Sequence, residues 1–463
     1  MKVRNIFGFM LFVGLLFLVT GSGLAREQQP AGSSGAAGAN ASSAANAPWF
    51  ISEVDTDYDT GQYPSVADDQ AIGDIYVSYY NADFGDMRMA QYVRTGGDCG
   101  PNNSWVCQTV DSEGDVGMFS SMAISPGAGL TRITYYDATL GDLKIAKKNF
   151  PPHPDSLWTT VTIDKGISPT STGLYASMEL VPLKGQAYVS YHSSNPSGDD
   201  ELKMAYQVSS GSGGNCGYGT EAGKWQCDTI QIGEGVEQHT SLALDGSGDT
   251  HIAYYDRGNG DLWYATNRTG SNCCPGNNWT CYPVTGVTTD VGKYASLYMD
   301  SGKHFHIAYY DATNDVLKYA VDVGSGGNCG VLGSAQCDEI DSMQADYHPL
   351  GISIAEDAAG YPVIAYQSYN GSLNLARPAA AVGLSGGGGN CGPVELFPTW
   401  YCETIDRHGT WVPYRNADFV SISVNSSGLA TIAYNGFITS TGGNLNVATQ
   451  RLQIFLPLTV KDG

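Results

Sequence analysis

His239, Tyr255 and Arg257 are the group types that cleave an acidic glycan by elimination: an imidazole base, a phenol acid and a guanidinium to neutralise the substrate carboxylate. His192 is a second candidate base. Hydrolysis by paired carboxylates is also open, because Asp is abundant and the separation of two carboxyls cannot be read from a sequence. The turn Asp55-Thr-Asp57-Tyr-Asp59-Thr-Gly61 alternates carboxylates as a calcium loop begins, but Val66 stands where the closing Glu belongs, so a solvated acidic turn is the competing reading. No other cofactor is expected. The chain has no Gly-x-Ser-x-Gly elbow, no His-Glu-x-x-His and no phosphate loop.

The elements that must position these residues are repeats. Thr240-Ser-Leu-Ala-Leu-Asp245, His251-Ile-Ala-Tyr-Tyr-Asp256 and Asp261-Leu-Trp-Tyr-Ala265 recur as Ala295-Ser-Leu-Tyr-Met-Asp300, His306-Ile-Ala-Tyr-Tyr-Asp311 and Val316-Leu-Lys-Tyr-Ala320. The first tyrosine of the pair falls at Tyr79, Tyr135, Tyr191, Tyr254, Tyr309, Tyr366 and Tyr434, in steps of 56, 56, 63, 55, 57 and 68. Each copy holds four short runs, A to D, rich in aromatic and β-branched residues and separated by Gly, Asn and Asp. Helical periodicity is absent. Seven four-stranded units without covering helices predict an all-β fold, a seven-bladed β-propeller. The first run, Trp49 to Asp55, matches the D run Trp105 to Asp111, whereas the last copy lacks a D run. The N-terminal strand is therefore expected to complete the C-terminal blade and close the ring.

Ten of the 11 cysteines fall in C–D hairpins: Cys99 with Cys107, Cys216 with Cys227, Cys273 with Cys281, Cys329 with Cys337 and Cys391 with Cys402. Both partners are missing together in copy two, where Thr160 takes the second position, and in copy seven, where Ile51 does. Presence or absence in pairs predicts five local disulfides rather than a metal site. Cys274 is left over as a free thiol or as an exchange partner for Cys273.

In a propeller the B–C turns and D–A crossovers share one face, where ligands commonly sit. Each A strand is entered through a ring: Tyr63, Phe119, Tyr175, His239, Tyr294, an offset His348 and Phe419. The B strands end in Tyr136-Asp137, Tyr255-Asp256 and Tyr310-Asp311, or in departures such as His192 and Gln367. One reading makes this a glycan or peptide platform of stacking rings and accepting carboxylates. The other packs the rings blade against blade and uses each Asp to cap its turn.

The chain has 463 residues, and its formal charge is 23 − 46 = −23. Such an acidic chain is not built to bind nucleic acid. Lys2, Arg4, the apolar run Ile6 to Thr20 and Gly23-Leu-Ala25 read as a Sec-type signal peptide, 1–25. A flexible Ala/Gly/Ser/Asn linker is expected over 26–47, the propeller over 48–450 and an apolar tail over 451–463. No later segment is long and apolar enough to span a bilayer. These features predict a secreted or cell-surface protein, a monomer whose partner is a glycan or an extracellular protein.

The runs His-Ile-Ala-Tyr-Tyr-Asp at 251–256 and 306–311, each followed by Leu-x-Tyr-Ala, resemble repeats of exported bacterial β-propellers grouped loosely with the sialidase-like propellers. The resemblance implies the fold over nearly all of 49–450. It does not extend to sialidase chemistry. The family's Ser-x-Asp-x-Gly-x-x-Trp boxes are absent, and Arg88, Arg132, Arg257 and Arg415 do not share a repeat position as an arginine triad would. The leading expectation is a binding module. A glycoside hydrolase or polysaccharide lyase on the same face is the alternative.

Overall fold

The computed structural model describes residues 47–451 apart from short interruptions, the longest at 150–156, 344–350 and 408–418. The expected signal peptide, most of the linker, nearly all of the tail, Cys274, His348 and Arg415 lie outside the described residues. Twenty-eight strands form seven four-stranded antiparallel sheets, a seven-bladed β-propeller. Blades one to six span 60–111, 116–164, 171–233, 236–283, 291–342 and 352–406. Blade seven joins strands 420–424, 430–439 and 442–450 to the N-terminal strand Trp49–Asp55, which pairs antiparallel with Gly442–Gln450. The ring therefore closes as its end runs imply.

Each sheet buries both faces against its neighbours, so the inner strands are not amphipathic. His251 to Asp256 are all buried, as are Phe305 to Asp311. Between blades four and five, for example, Leu297, Phe305, Ile307 and Tyr309 pack on Ala243, Leu262 and Val284. Apolar burial of this kind, at about 25 cal/mol per Å², is the main attraction between blades.

Polar links then set the register of the ring. The repeated B-strand tyrosine crosses each seam. Tyr79, Tyr135, Tyr191, Tyr366 and Tyr434 donate from their hydroxyls to Asp55, Asp111, Asp164, Asp341 and Asp406 in the preceding D strand, at 2.6 to 2.7 Å. Tyr254 donates to Gln231 in the same way. Three of the carboxylates also hold a cation: Asp55 pairs with Arg88 at 2.9 Å, Asp111 with Lys144 at 2.7 Å and Asp164 with Lys203 at 2.5 Å. The seventh seam differs. Thr285 stands at the matching position, and the fully buried Tyr309 hydroxyl has no hydrogen-bond partner among the described residues.

A second belt runs near the axis. Ser65, Ser121, Ser177, Ser241, Ser296, Ser353 and Ser421 each accept, through Oγ, the backbone N–H of the following blade's A strand at 2.9 to 3.1 Å. The last of these, Val66 N–H to Ser421, ties blade one to blade seven.

All five expected disulfides form. Cys99 bonds to Cys107, Cys216 to Cys227, Cys273 to Cys281, Cys329 to Cys337 and Cys391 to Cys402, with Cα–Cα distances of 5.5 to 5.9 Å. These ten cysteines are therefore paired as structural cross-links. Each bridge ties a C–D loop to the outermost strand: Cys107, Cys227, Cys281, Cys337 and Cys402 all lie on D strands. Blade two, which has no bridge, is covered differently. The C–D loop of blade three reaches back, and Gly217 and Tyr218 N–H donate to the carbonyls of Ile163 and Thr162 on its outer strand. That pairing shields part of an open sheet edge. Five disulfides point to an oxidising compartment. Among the described residues no helix is long and apolar enough to cross a membrane.

Candidate functional site

The A strands of blades one to five are not straight. Their pairing with the B strand slips just before Ser65, Ser121, Ser177, Ser241 and Ser296, where a bulge inserts extra residues. At each bulge sits the expected ring residue in the left-handed region: Tyr63 (φ 50°), Phe119 (55°), Tyr175 (52°), His239 (62°) and Tyr294 (57°). That backbone costs a bulky residue on the order of 1–3 kcal/mol and persists only where the surroundings impose it. Here the serine belt anchors the chain two residues later, and the bulge turns the ring toward the axis. A glycine two residues before the ring makes room in four blades. At Gly61, Gly117, Gly173 and Gly292 an added Cβ would come within 2.6 to 2.9 Å of the neighbouring blade's C-strand backbone.

The rings form a crown at the channel mouth. Centroids are 3.8 Å apart for Tyr63–Phe419, 4.6 Å for Tyr63–Phe119, 4.3 Å for Phe119–Tyr175, 4.8 Å for Tyr175–His239 and 4.2 Å for His239–Tyr294. Tilted contacts at these spacings are favourable for aromatic pairs. All six rings are half-buried, and with Ser120, Thr240, Ile352 and Val420 they bound a cavity of about 180 Å³. Among the described residues the crown has six rings. The offset His348 lies outside the described residues, and alignment on Ser353 puts Gly351 at the ring position of blade six. A Cβ on Gly351 would lie 2.7 Å from the Val420 nitrogen, so backbone of blade seven fills the place of a side chain.

Behind the crown lies a second tier. Tyr80, Tyr255 and Tyr310 are buried, and their hydroxyls donate to Asp115, Asp290 and Asp315 at 2.6 to 2.7 Å. Lys293 holds the other oxygen of Asp290 at 2.6 Å and lies over the Tyr255 ring. Tyr136 and His192 occupy the same tier, each 6.3 to 6.5 Å from a crown ring, and both are buried. The three expected carboxylates turn into their own B–C turns instead of facing the mouth. Asp137 accepts from Leu140 N–H, Asp256 from Asn259 N–H and Asp311 from Thr313 and Asn314 N–H, and all three are nearly inaccessible. An Asp at this place caps the turn because its side chain mimics the backbone acceptor.

The elimination candidates are only partly assembled. His239 lies in the bulge opposite Tyr255. Burial, reinforced by the Lys293 charge, pulls its imidazole down to about 3. Burial likewise takes His192 to about 4 against the opposing pull of Asp200. The Tyr255 phenol is pushed well above its usual range, first by burial and then by its bond to Asp290. Arg257 is exposed on the adjoining turn. In the acidic turn, Asp55 Oδ2 is held by Tyr79 and Arg88, Asp59 accepts from Gly443 N–H and Gln62, and Asp57 is exposed. The only His/Cys/Asp/Glu trio among the described residues whose ligating atoms converge is Asp98, Cys99 and Cys107, and its two cysteines form a disulfide.

The serine belt and the Tyr–Asp seam bonds are absent from the sequence-derived candidates. Both carry a sequence signal. Ser follows the ring position by two in every copy, and Asp follows the D-strand Trp (or Ala335) by six in five of seven.

No protein-family model and no curated protein matches the chain. Solved structures match the chain at low similarity. A protein of unknown function from Dyadobacter fermentans matches with a TM-score of 0.42 and 10% identity over 87% of this chain and 98% of its own. A Hadza microbial sialidase gives 0.42 and 10% over 84% and 65%. The six-bladed fucose-binding lectin of Aleuria aurantia gives 0.40 and 16% over 73% and 95%.

Proposed function

We propose that the protein is an exported β-propeller that binds carbohydrate at the ring crown. The observation that carries this reading is the crown itself: six half-buried rings around the axis, five held in a strained backbone at equivalent positions. Strain repeated at one functional face is a signature of a built surface. The 180 Å³ dish is shallow. It suits the stacking of one sugar face on an aromatic, with Tyr and His groups supplying the hydrogen bonds. The groups nominated for elimination favour binding over cleavage. A base near 3 and a phenol tied to a carboxylate are poorly matched to proton transfer at neutral pH. An extracellular protein ligand is the second binding partner this reading admits, and calcium is tested alongside. The mature protein, beginning after Ala25 and monomeric, is probed on a glycan array and in pull-downs, with and without calcium. Binding that is lost in Phe119→Ala and Tyr294→Ala supports the reading. Turnover of a polysaccharide panel that disappears in His239→Ala replaces it with the enzymatic one.

A further inference from the structure

A larger cleft lies away from the crown, over the outer strand of blade two. Its volume is about 670 Å³, within the range of small-ligand sites. Three parts of the chain build it: the crossover at Glu113, the B–C turn around Leu140, and the Tyr218–Thr220 loop of blade three. Departures from the repeat concentrate here. Blade two lacks its hairpin disulfide, and Thr160 takes the second cysteine's place. Leu140, 62% exposed, replaces the asparagine whose amide donates to the B-strand Asp in blades four and five. The Tyr218 loop docks by backbone hydrogen bonds onto the strand that the missing bridge leaves open.

Its charge also departs from that of the molecule. On the floor, Lys144 is neutralised by Asp111 at 2.7 Å and by Asp137 at 3.6 Å. Lys165 is different. It is exposed, its ammonium stands over the Tyr218 ring at 4.6 Å, and its charge acts on Asp142 without an ion pair between them among the described residues. In a chain with twice as many acids as bases, an exposed lysine on an aromatic face beside a cleft, opposed only by the more distant charge of Asp142, can receive an anion. The Thr139, Thr162 and Thr220 hydroxyls line the same cleft. Glu113, on the crossover side, is the one exposed acid of the lining.

We propose that this cleft is a second saccharide site, specific for an acidic sugar whose carboxylate or sulfate pairs with Lys165 while its ring lies against Tyr218 and Leu140. This rests on the carbohydrate-binding reading but assigns a different place and a narrower ligand class. The test is titration calorimetry of the mature protein with three probes of equal length: a galacturonate trisaccharide, a sulfated galactose trisaccharide and a neutral galactose trisaccharide. Binding of at least one acidic probe is expected, weakened by salt and reduced about tenfold in Lys165→Gln, the scale of one charge-assisted hydrogen bond. Which acidic probe binds distinguishes carboxylate from sulfate. Tyr218→Ala should weaken the same probe, and Tyr294→Ala in the crown should leave it unchanged. Lys165 and Tyr218 are both exposed, so circular dichroism of the variants checks that the fold is intact. Acidic-probe binding indifferent to Lys165→Gln, or lost only in Tyr294→Ala, overturns the cleft and leaves the crown standing. Neutral-probe binding alone does the same. Failure of every probe and of the glycan array overturns both.

Discussion

The Tyr–Asp seam bonds contain their own control. Tyr79 and Tyr309 occupy the same repeat position, and both are fully buried. Tyr79 donates to Asp55 at 2.6 Å, and Asp55 is itself paired with Arg88. The Tyr309 hydroxyl has no hydrogen-bond partner among the described residues. Removing one oxygen from each therefore separates the hydrogen bond from the packing. Tyr79→Phe deletes a bond to a charged acceptor and leaves that acceptor buried, a loss of about 1.5–3 kcal/mol. Tyr309→Phe deletes only an unsatisfied buried hydroxyl, so its effect should lie between zero and about 1 kcal/mol of stabilisation. The expected gap is roughly 1.5–4 kcal/mol. Near 2.1 cal/mol/K of unfolding entropy per residue over about 400 residues, that is a difference of about 2–5 °C in Tm. Thermal melts followed by far-ultraviolet circular dichroism, with urea titrations to test for a single transition, would read it. Equal destabilisation of the two variants would refute the argument, because it would mean that ring packing rather than the seam bond carries the effect.

Three further outcomes follow from the same geometry. His239 stays neutral in the folded protein to about pH 3, whereas the unfolded chain takes up the proton near 6.5, so the unfolded state binds more protons and stability should fall as pH drops through that window. His239→Gln should flatten that part of a pH-dependent melt, and the His239 C2 proton resonance should not titrate above about pH 4. Asp261 is fully buried, neither oxygen has a hydrogen-bond partner among the described residues, and burial together with the Asp256 charge lifts it to about 6. Its ionisation is a penalty that grows as pH rises from about 4 to 6, so Asp261→Asn should stabilise the protein by roughly 1–3 kcal/mol at about pH 8 and by little near pH 4, read from urea titrations at the two pH values. Ser421→Ala strands the N–H of Val66 at the closure between blades seven and one. A loss of about 1–3 kcal/mol is expected. Limited proteolysis should cut first near the N-terminal strand, and cleavage elsewhere with Trp49–Asp55 intact would count against the belt as the closing device.

Much of the architecture was legible in the sequence because a propeller repeats its own instructions. Seven repeated B-strand tyrosines, the unmatched D run at Trp49 and five cysteine pairs are local patterns, and each found its place in the fold. The candidate site was legible only by residue type. Tyr63, Tyr175, His239 and Tyr294 do converge on the axis. Asp137, Asp256 and Asp311 share their face, but each side chain is consumed by its own turn. Spacing cannot distinguish a carboxylate that caps a turn from one that faces a ligand, since both need an Asp at a strand end. In blade six the hydrogen-bond register at Ser353 puts Gly351 at the ring position, and the offset His348 lies outside the described residues.

The sequence by itself determined the unit, its number and its closure, because strand propensity, turn residues and cysteine pairing act over a few residues each. Only the tertiary structure decided what the side chains are for. Whether a buried tyrosine finds a carboxylate across a seam, as Tyr79 does, or none, as with Tyr309, depends on a residue some two dozen positions away in another blade. Whether a lysine is neutralised, like Lys144, or left on an aromatic face, like Lys165, depends on which loop docks beside it. Those outcomes are set by contacts between blades, which no run within one repeat encodes.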